Sequence, residues 1–188
     1  MRSPRIPPME PPYAPRVAET LTKMMPPGWT LEPLRVFRTI ARNQVIGERF
    51  RVLGTGILFK GSVEPADREI VIHRTTARCG SEYEWGVHVT FFARPLGLTD
   101  AQIAATVRGG PTDPAFTERQ ALLVRMSDEL HDTSTVSDAL WQELEQHWTA
   151  EQLIELLVTA GFYHIVSFLT NALRVEGEEW AERFPVRS

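Results

Sequence analysis

Apolar residues recur at helical spacing along most of this chain. Val17, Leu21, Met24 and Met25 form one such series, and Leu34, Phe37, Ile40 and Ala41 form another. Leu122, Met126 and Leu130 repeat at i, i+4, while Trp141, Leu144 and Trp148 repeat at i, i+3, i+7. Each pattern predicts an amphipathic helix. The stop and start chemistry agrees: Thr99–Gln102 (TDAQ) and Thr149–Gln152 (TAEQ) read as capping boxes, and Ser137 reads as an N-cap. Pro26-Pro27-Gly28, Gly109-Gly110-Pro111 and Pro114 mark breaks. Two stretches stay open between helix and strand, FRVLGTGILF at 50–59 and EIVIHRTT at 69–76, because β-branched residues crowd both. The stretch Leu153–Leu173 is apolar on most faces and about the ~20 residues a membrane span needs. Glu155, His164 and Asn171 within it would be costly in lipid, so it reads as the buried centre of a bundle, and no membrane is expected.

The first fifteen residues hold six prolines and no continuous apolar run, which predicts an extended arm over residues 1–13 and not a secretory signal. Residues 14–188 read as one helical domain, with the helical pattern itself running from 14 to 184. A chain of 188 residues with 43% hydrophobic and 23% charged residues has enough apolar side chains for a real core. Its net charge of −4 gives no basic footprint for nucleic acid. The single cysteine, Cys79, excludes an intramolecular disulfide framework, a CxxC redox pair and a cysteine-rich zinc site, and fits a reducing, cytoplasmic setting. Gly54, Gly56, Lys60 and Gly61 do not follow phosphate-loop order.

Chemistry concentrates in residues 67–97, DREIVIHRTTARCGSEYEWGVHVTFFARPLG, where Gly80 ends one helix and Ser81 begins the next. Glu84 and His88 are i, i+4 neighbours on that second helix, set among Tyr83, Trp85, Val87, Phe91 and Phe92. Apolar surroundings shift titratable groups, so this pair suits acid/base work near neutrality. A second reading of the same residues is structural: Ser81 to Glu84 is also an S-x-x-E capping box, and His88 can be a satisfied core histidine. Arg74 and Arg78 are candidates either for binding a substrate carboxylate or for ordinary ion pairs. His73, four residues after Glu69, and His164, in an apolar segment, can face a pocket or be satisfied structurally, and His131 and His147 sit in polar settings. Glu69, Glu84 and His88 lack a recognised ligand spacing, so no metal and no cofactor are expected.

DREIVI at 67–72, SEYEWGVH at 81–88 and GLTD at 97–100 resemble the carboxymuconolactone decarboxylase family, which includes alkylhydroperoxidase D-like proteins. DELHD at 128–132, TVSDALW at 135–141 and GFYHIVSFLTNAL at 161–173 are similar to the second half of many members. The resemblance implies an all-α, multi-helix bundle that assembles as a homo-oligomer, a trimer or hexamer. The family's peroxidases carry a glutamate, a Cys-x-x-Cys pair and a histidine. The corresponding positions here are Glu69, Ser81, Glu84 and His88, so both cysteines are replaced.

The implied activity is therefore cofactor-independent proton transfer or decarboxylation on a small organic acid or lactone. Glu69, Glu84 and His88 would be catalytic, and Tyr83, Ser81 and Arg74 would bind substrate. The alternatives are peroxide reduction through Cys79 as a redox thiol, or a noncatalytic oligomer that binds small acids.

Overall fold

The computed structural model describes residues 3–26 and 28–185. Met1 and Arg2 of the expected arm, Pro27 of the expected break and residues 186–188 of the expected domain lie outside the described residues. Within them the chain is all-helical: α1 (Pro15–Met24), α2 (Arg35–Ile40), α3 (Gln44–Lys60), α4 (Pro65–Arg78), α5 (Glu82–His88), α6 (Asp100–Arg108), α7 (Glu118–Thr133), α8 (Asp138–Leu144) and α9 (Ala150–Leu173). A π-helical turn, Val89–Ala93, continues α5. No strand occurs among the described residues, so both ambiguous stretches resolve as helix, in α3 and α4.

The bundle is built around α4. Ten consecutive residues, Asp67–Thr76, are buried, enclosed by α5, α6, α7 and α9. A helix covered on every side has no polar face, which is why its sequence lacks a helical period. Two of its charged side chains, Arg74 and Asp67, find ion-pair partners inside. The Arg74 fork bonds both carboxylate oxygens of Asp128, at 2.6 and 2.8 Å, and the carbonyls of Thr106 and Gly109. Asp67 accepts from Arg119, whose guanidinium lies over the Trp148 ring. One apolar cluster joins Ile70, Val71, Leu123, Met126, Leu140 and Leu156 on one side of α4, and a second joins Ile72, Val87, Phe162, Tyr163 and Val166 on the other.

Local chemistry sets the element boundaries. Thr99 and Thr149 close the expected capping boxes, Ser137 caps α8, and Thr117 with Gln120 makes a further box at the start of α7. Residues 3–13 carry no helix, and they are tied to the bundle: the Arg5 amide donates to the Leu173 carbonyl, and Arg42 and Arg38 donate to the carbonyls of Pro7 and Met9. After α9 the chain returns over α5, where the Phe184 amide donates to Glu82 and Glu178 accepts from Tyr83 and from the Arg35 amide.

Candidate active site

A cavity of about 1090 Å³ opens between α1, the segment following it, α2, α3, α5 and α9. Its walls are apolar and largely aromatic, with Trp29, Phe37, Phe50, Phe91, Phe92 and Phe162 among them, and Glu84, His88 and Tyr163 converge at one part of the surface. Cavities of this size and lining hold small molecules whose orientation is set by a few polar groups. The π turn immediately after His88 brings the Phe92 ring onto the imidazole, 4.9 Å between centroids, while Phe91 packs on Trp29 and Trp180. Such single π turns recur at functional sites.

His88 links the cavity to the buried helix behind it. Nδ1 lies 2.8 Å from Glu69 Oε2, and because a carboxylate only accepts, Nδ1 carries the proton. Nε2 lies 3.5 Å from Glu84 Oε1 on the cavity side. Burial alone would push the imidazole towards the neutral form, but the charges and hydrogen bonds of Glu69 and Glu84 win and raise its pKa from 6.5 to about 9. At neutral pH the ring is an imidazolium with a proton on each nitrogen.

Glu69 is fully buried and does not line the cavity, so it positions His88 from behind. Arg68 Nε, itself buried and without a hydrogen-bond partner, lies 3.9 Å from Glu69 Oε1. A second histidine closes this inner cluster: His73 Nδ1 donates to the Glu69 carbonyl at 2.5 Å, and its ring stands 6.2 Å from that of His88. Burial holds His73 neutral, its pKa lowered from 6.5 to about 4.

The structure thus brings Glu69, Glu84 and His88 together and leaves the three residues expected to bind substrate elsewhere. Tyr83 faces away from the cavity, donating to Glu178 Oε1 at 2.6 Å and accepting from the Val36 amide. Ser81 Oγ is bonded to Thr170 Oγ1 at 2.8 Å, and Arg74 is fully engaged with Asp128 and two carbonyls. The structural reading of Ser81 to Glu84 as a capping box is also corrected. Ser81 occupies the N-cap position but its side chain makes no cap bond, and Glu84 turns to His88 instead of the Ser81 amide. The residue that sequence reasoning missed is Tyr163, whose ring stands edge-on to His88 at 4.9 Å and whose phenol, raised well above its ordinary pKa by burial and the nearby carboxylates, stays protonated. Its spacing of one residue before His164 in an apolar run gave no signal.

Cys79 does not line the cavity. It caps the C-terminal end of α4, with Sγ 3.8 Å from His131 Nδ1, and burial pushes its thiol pKa up against the Ser167 hydroxyl and Arg78. His164, considered above for the pocket, joins this second cluster, with Nε2 3.1 Å from His131 Nδ1.

Residues 46–124 match the carboxymuconolactone decarboxylase family. No curated protein matches the chain. Among solved structures, the debrominase Bmp8 superposes with a TM-score of 0.72 at 14% identity, covering 93% of this chain and 92% of its own. A cysteine-to-alanine variant of that enzyme, bound to 2,3,4-tribromopyrrole, gives the same TM-score at 17% identity and the same coverage. A protein of unknown function from Agrobacterium tumefaciens, suggested to be the antioxidant defence protein AhpD, gives 0.64 at 16% identity over 70% of this chain and 89% of that one. An uncharacterised peroxidase-related protein from Silicibacter sp. TM1040 gives 0.68 at 14% over 79% and 78%. The stretch that supplies Glu69, Glu84 and His88 thus lies within the match to the carboxymuconolactone decarboxylase family, on an all-helical fold similar to that of these solved structures.

Proposed function

We propose that the protein is a cofactor-independent enzyme of proton transfer, acting by decarboxylation or a related shift on a small, ring-sized organic acid or lactone. One observation carries this reading: an imidazolium pinned by a buried carboxylate presents its second N–H to a carboxylate at an aromatic-walled cavity.

In the proposed reaction the bond from the ring to the substrate carboxylate breaks, carbon dioxide leaves, and the electron pair passes into a conjugated carbonyl as an enolate. His88 Nε2–H stabilises the developing oxyanion and its proton then goes to carbon. The ring is then neutral at Nε2 until Glu84, beside it, relays a replacement proton from solvent, and Glu69 keeps the ring oriented throughout and favours its recharging. Tyr163 offers a further neutral donor. The aromatic walls exclude water, which strengthens each of these interactions. Peroxide reduction through Cys79 gains less support, because the thiol lies outside the cavity and the chain has no second thiol to resolve a sulfenic acid.

The test is turnover of a panel of carboxylated lactones by wild type and His88→Gln, beside thiol-dependent hydroperoxide reduction by wild type and Cys79→Ser. His88→Gln keeps most of the volume but removes the acid, and should lower turnover by ~10²–10⁴-fold. Full activity in that variant would make His88 structural. Hydroperoxide reduction that Cys79→Ser abolishes would favour the peroxidase instead. Binding of small acids without any turnover would leave a carrier.

A further inference from the structure

We infer that Cys79, His131 and His164 form a binding site for a thiophilic divalent transition metal, with Zn²⁺ the first candidate. Three helices deliver these ligands: Cys79 from the end of α4, His131 from the last turn of α7 and His164 from the middle of α9. Their donor atoms all lie within 4.8 Å of one another. Sγ of Cys79 is 3.8 Å from His131 Nδ1, which is 3.1 Å from His164 Nε2. A tetrahedral zinc ion with ordinary bond lengths separates a sulfur from a nitrogen ligand by about 3.6 Å and two nitrogens by about 3.4 Å, so changes of a few tenths of an ångström suffice.

The surroundings prepare the ligands. His164 Nδ1 donates to the Ala160 carbonyl at 2.9 Å, which fixes the tautomer and leaves Nε2 with its lone pair facing the cluster. With no metal bound, a proton on His131 Nδ1 therefore bridges the two rings, and a metal ion would take its place once that proton moves to Nε2 of His131 or to solvent. Asn171 Nδ2 donates to the Cys79 carbonyl, which ties the end of α4 to α9 and holds the thiol near both rings. All three ligands are half-buried, so an ion has an entry path. On binding, the thiol loses its proton to solvent and a sulfur–metal bond forms. The nearest carboxylates, Asp128 and Asp132, are already paired with Arg74 and Arg78, so the fourth position is left to water or an exchangeable ligand. One thiolate and two imidazoles is a soft, nitrogen-rich donor set suited to Zn²⁺ and unsuited to Mg²⁺ or Ca²⁺. The ligands lie 52 and 33 residues apart along the chain, so no local motif announces them.

The test is titration of the reduced, chelator-stripped full chain with Co²⁺, followed by displacement with Zn²⁺. The expected result is one equivalent bound per chain with a thiolate-to-cobalt charge-transfer band that Zn²⁺ bleaches. Cys79→Ser should abolish the band, and His131→Asn and His164→Asn should each weaken uptake by more than about tenfold, whereas His147→Asn should leave it unchanged. Far-ultraviolet circular dichroism of each variant shows whether it folds. A band that survives in folded Cys79→Ser, or no stoichiometric uptake by wild type at micromolar Co²⁺, would overturn the assignment.

Discussion

At the scale of single residues, two buried histidines 6.2 Å apart are held in opposite protonation states. His88 is raised from 6.5 to about 9 because Glu69 and Glu84 outweigh its desolvation, and His73 is lowered from 6.5 to about 4 because its desolvation outweighs Glu69. The signs differ accordingly. The contribution of His88 is complete below pH 6.5 and is lost as pH rises through about 9, while that of His73 is complete above 6.5 and is lost as pH falls through about 4. Urea unfolding midpoints should therefore peak near pH 6.5 and decline on both sides, with His88→Gln removing the alkaline decline and His73→Gln the acid one. A wild-type midpoint that stays flat from pH 6.5 to 9 would mean that His88 carries no charge in the folded protein. The i, i+4 spacing made the pairing of Glu84 with His88 legible from sequence, and Glu69 followed from the family resemblance. The positions of Tyr83 and Arg74 away from the cavity were not legible, because spacing tells which side chains share a helix face and not what that face meets. Tyr83, one residue and about 100° from Glu84 around α5, meets α2 and the C-terminal segment.

The same distinction governs whole elements. Capping boxes at Thr99 and Thr149 were readable because their chemistry is complete within four residues, and amphipathic α1 and α7 were readable because one face of each meets solvent. The character of α4 was not, since complete burial erases the period, and the π turn at Val89–Ala93 depends on packing that no local pattern encodes. Gly86, within α5, gives this level its test. A Cβ there would stand 2.0 Å from the Glu182 carbonyl oxygen, a backbone atom in the segment that crosses α5. In an isolated helix Gly→Ala gains about 1 kcal/mol, whereas overpacking costs roughly 1–3 kcal/mol, so the packing should decide the sign. Gly86→Ala is expected to lower the urea midpoint and to expose the chain after residue 175 to proteolysis. A raised midpoint would mean that the C-terminal segment does not rest on α5 in solution.

For the molecule as a whole, α9 is the informative element. It is long and apolar enough to cross a membrane, yet only half of its most apolar window is buried in the bundle. Ile154, Val158, Ile165 and Phe168 stay exposed, and with Gly161 they follow the 4, 3, 4, 3 spacing of a helix–helix seam. On α3, which packs beside α9, Val45, Val52 and Phe59 are exposed at intervals of seven. Apolar surface arranged in this order costs free energy in water, and single scattered residues would not account for it. A repeating seam can pair with an identical seam about a two-fold axis, so the expected occupant is a second copy of this chain. The expected outcome is a light-scattering mass at least twice the 21.3 kDa of one chain at micromolar concentration. Val158→Glu combined with Ile165→Glu should reduce that mass to the monomer while leaving the helical circular dichroism intact, since both side chains lie outside the core. A wild-type monomer, or an oligomer that the double variant leaves whole, would show that this seam does not join copies of the chain.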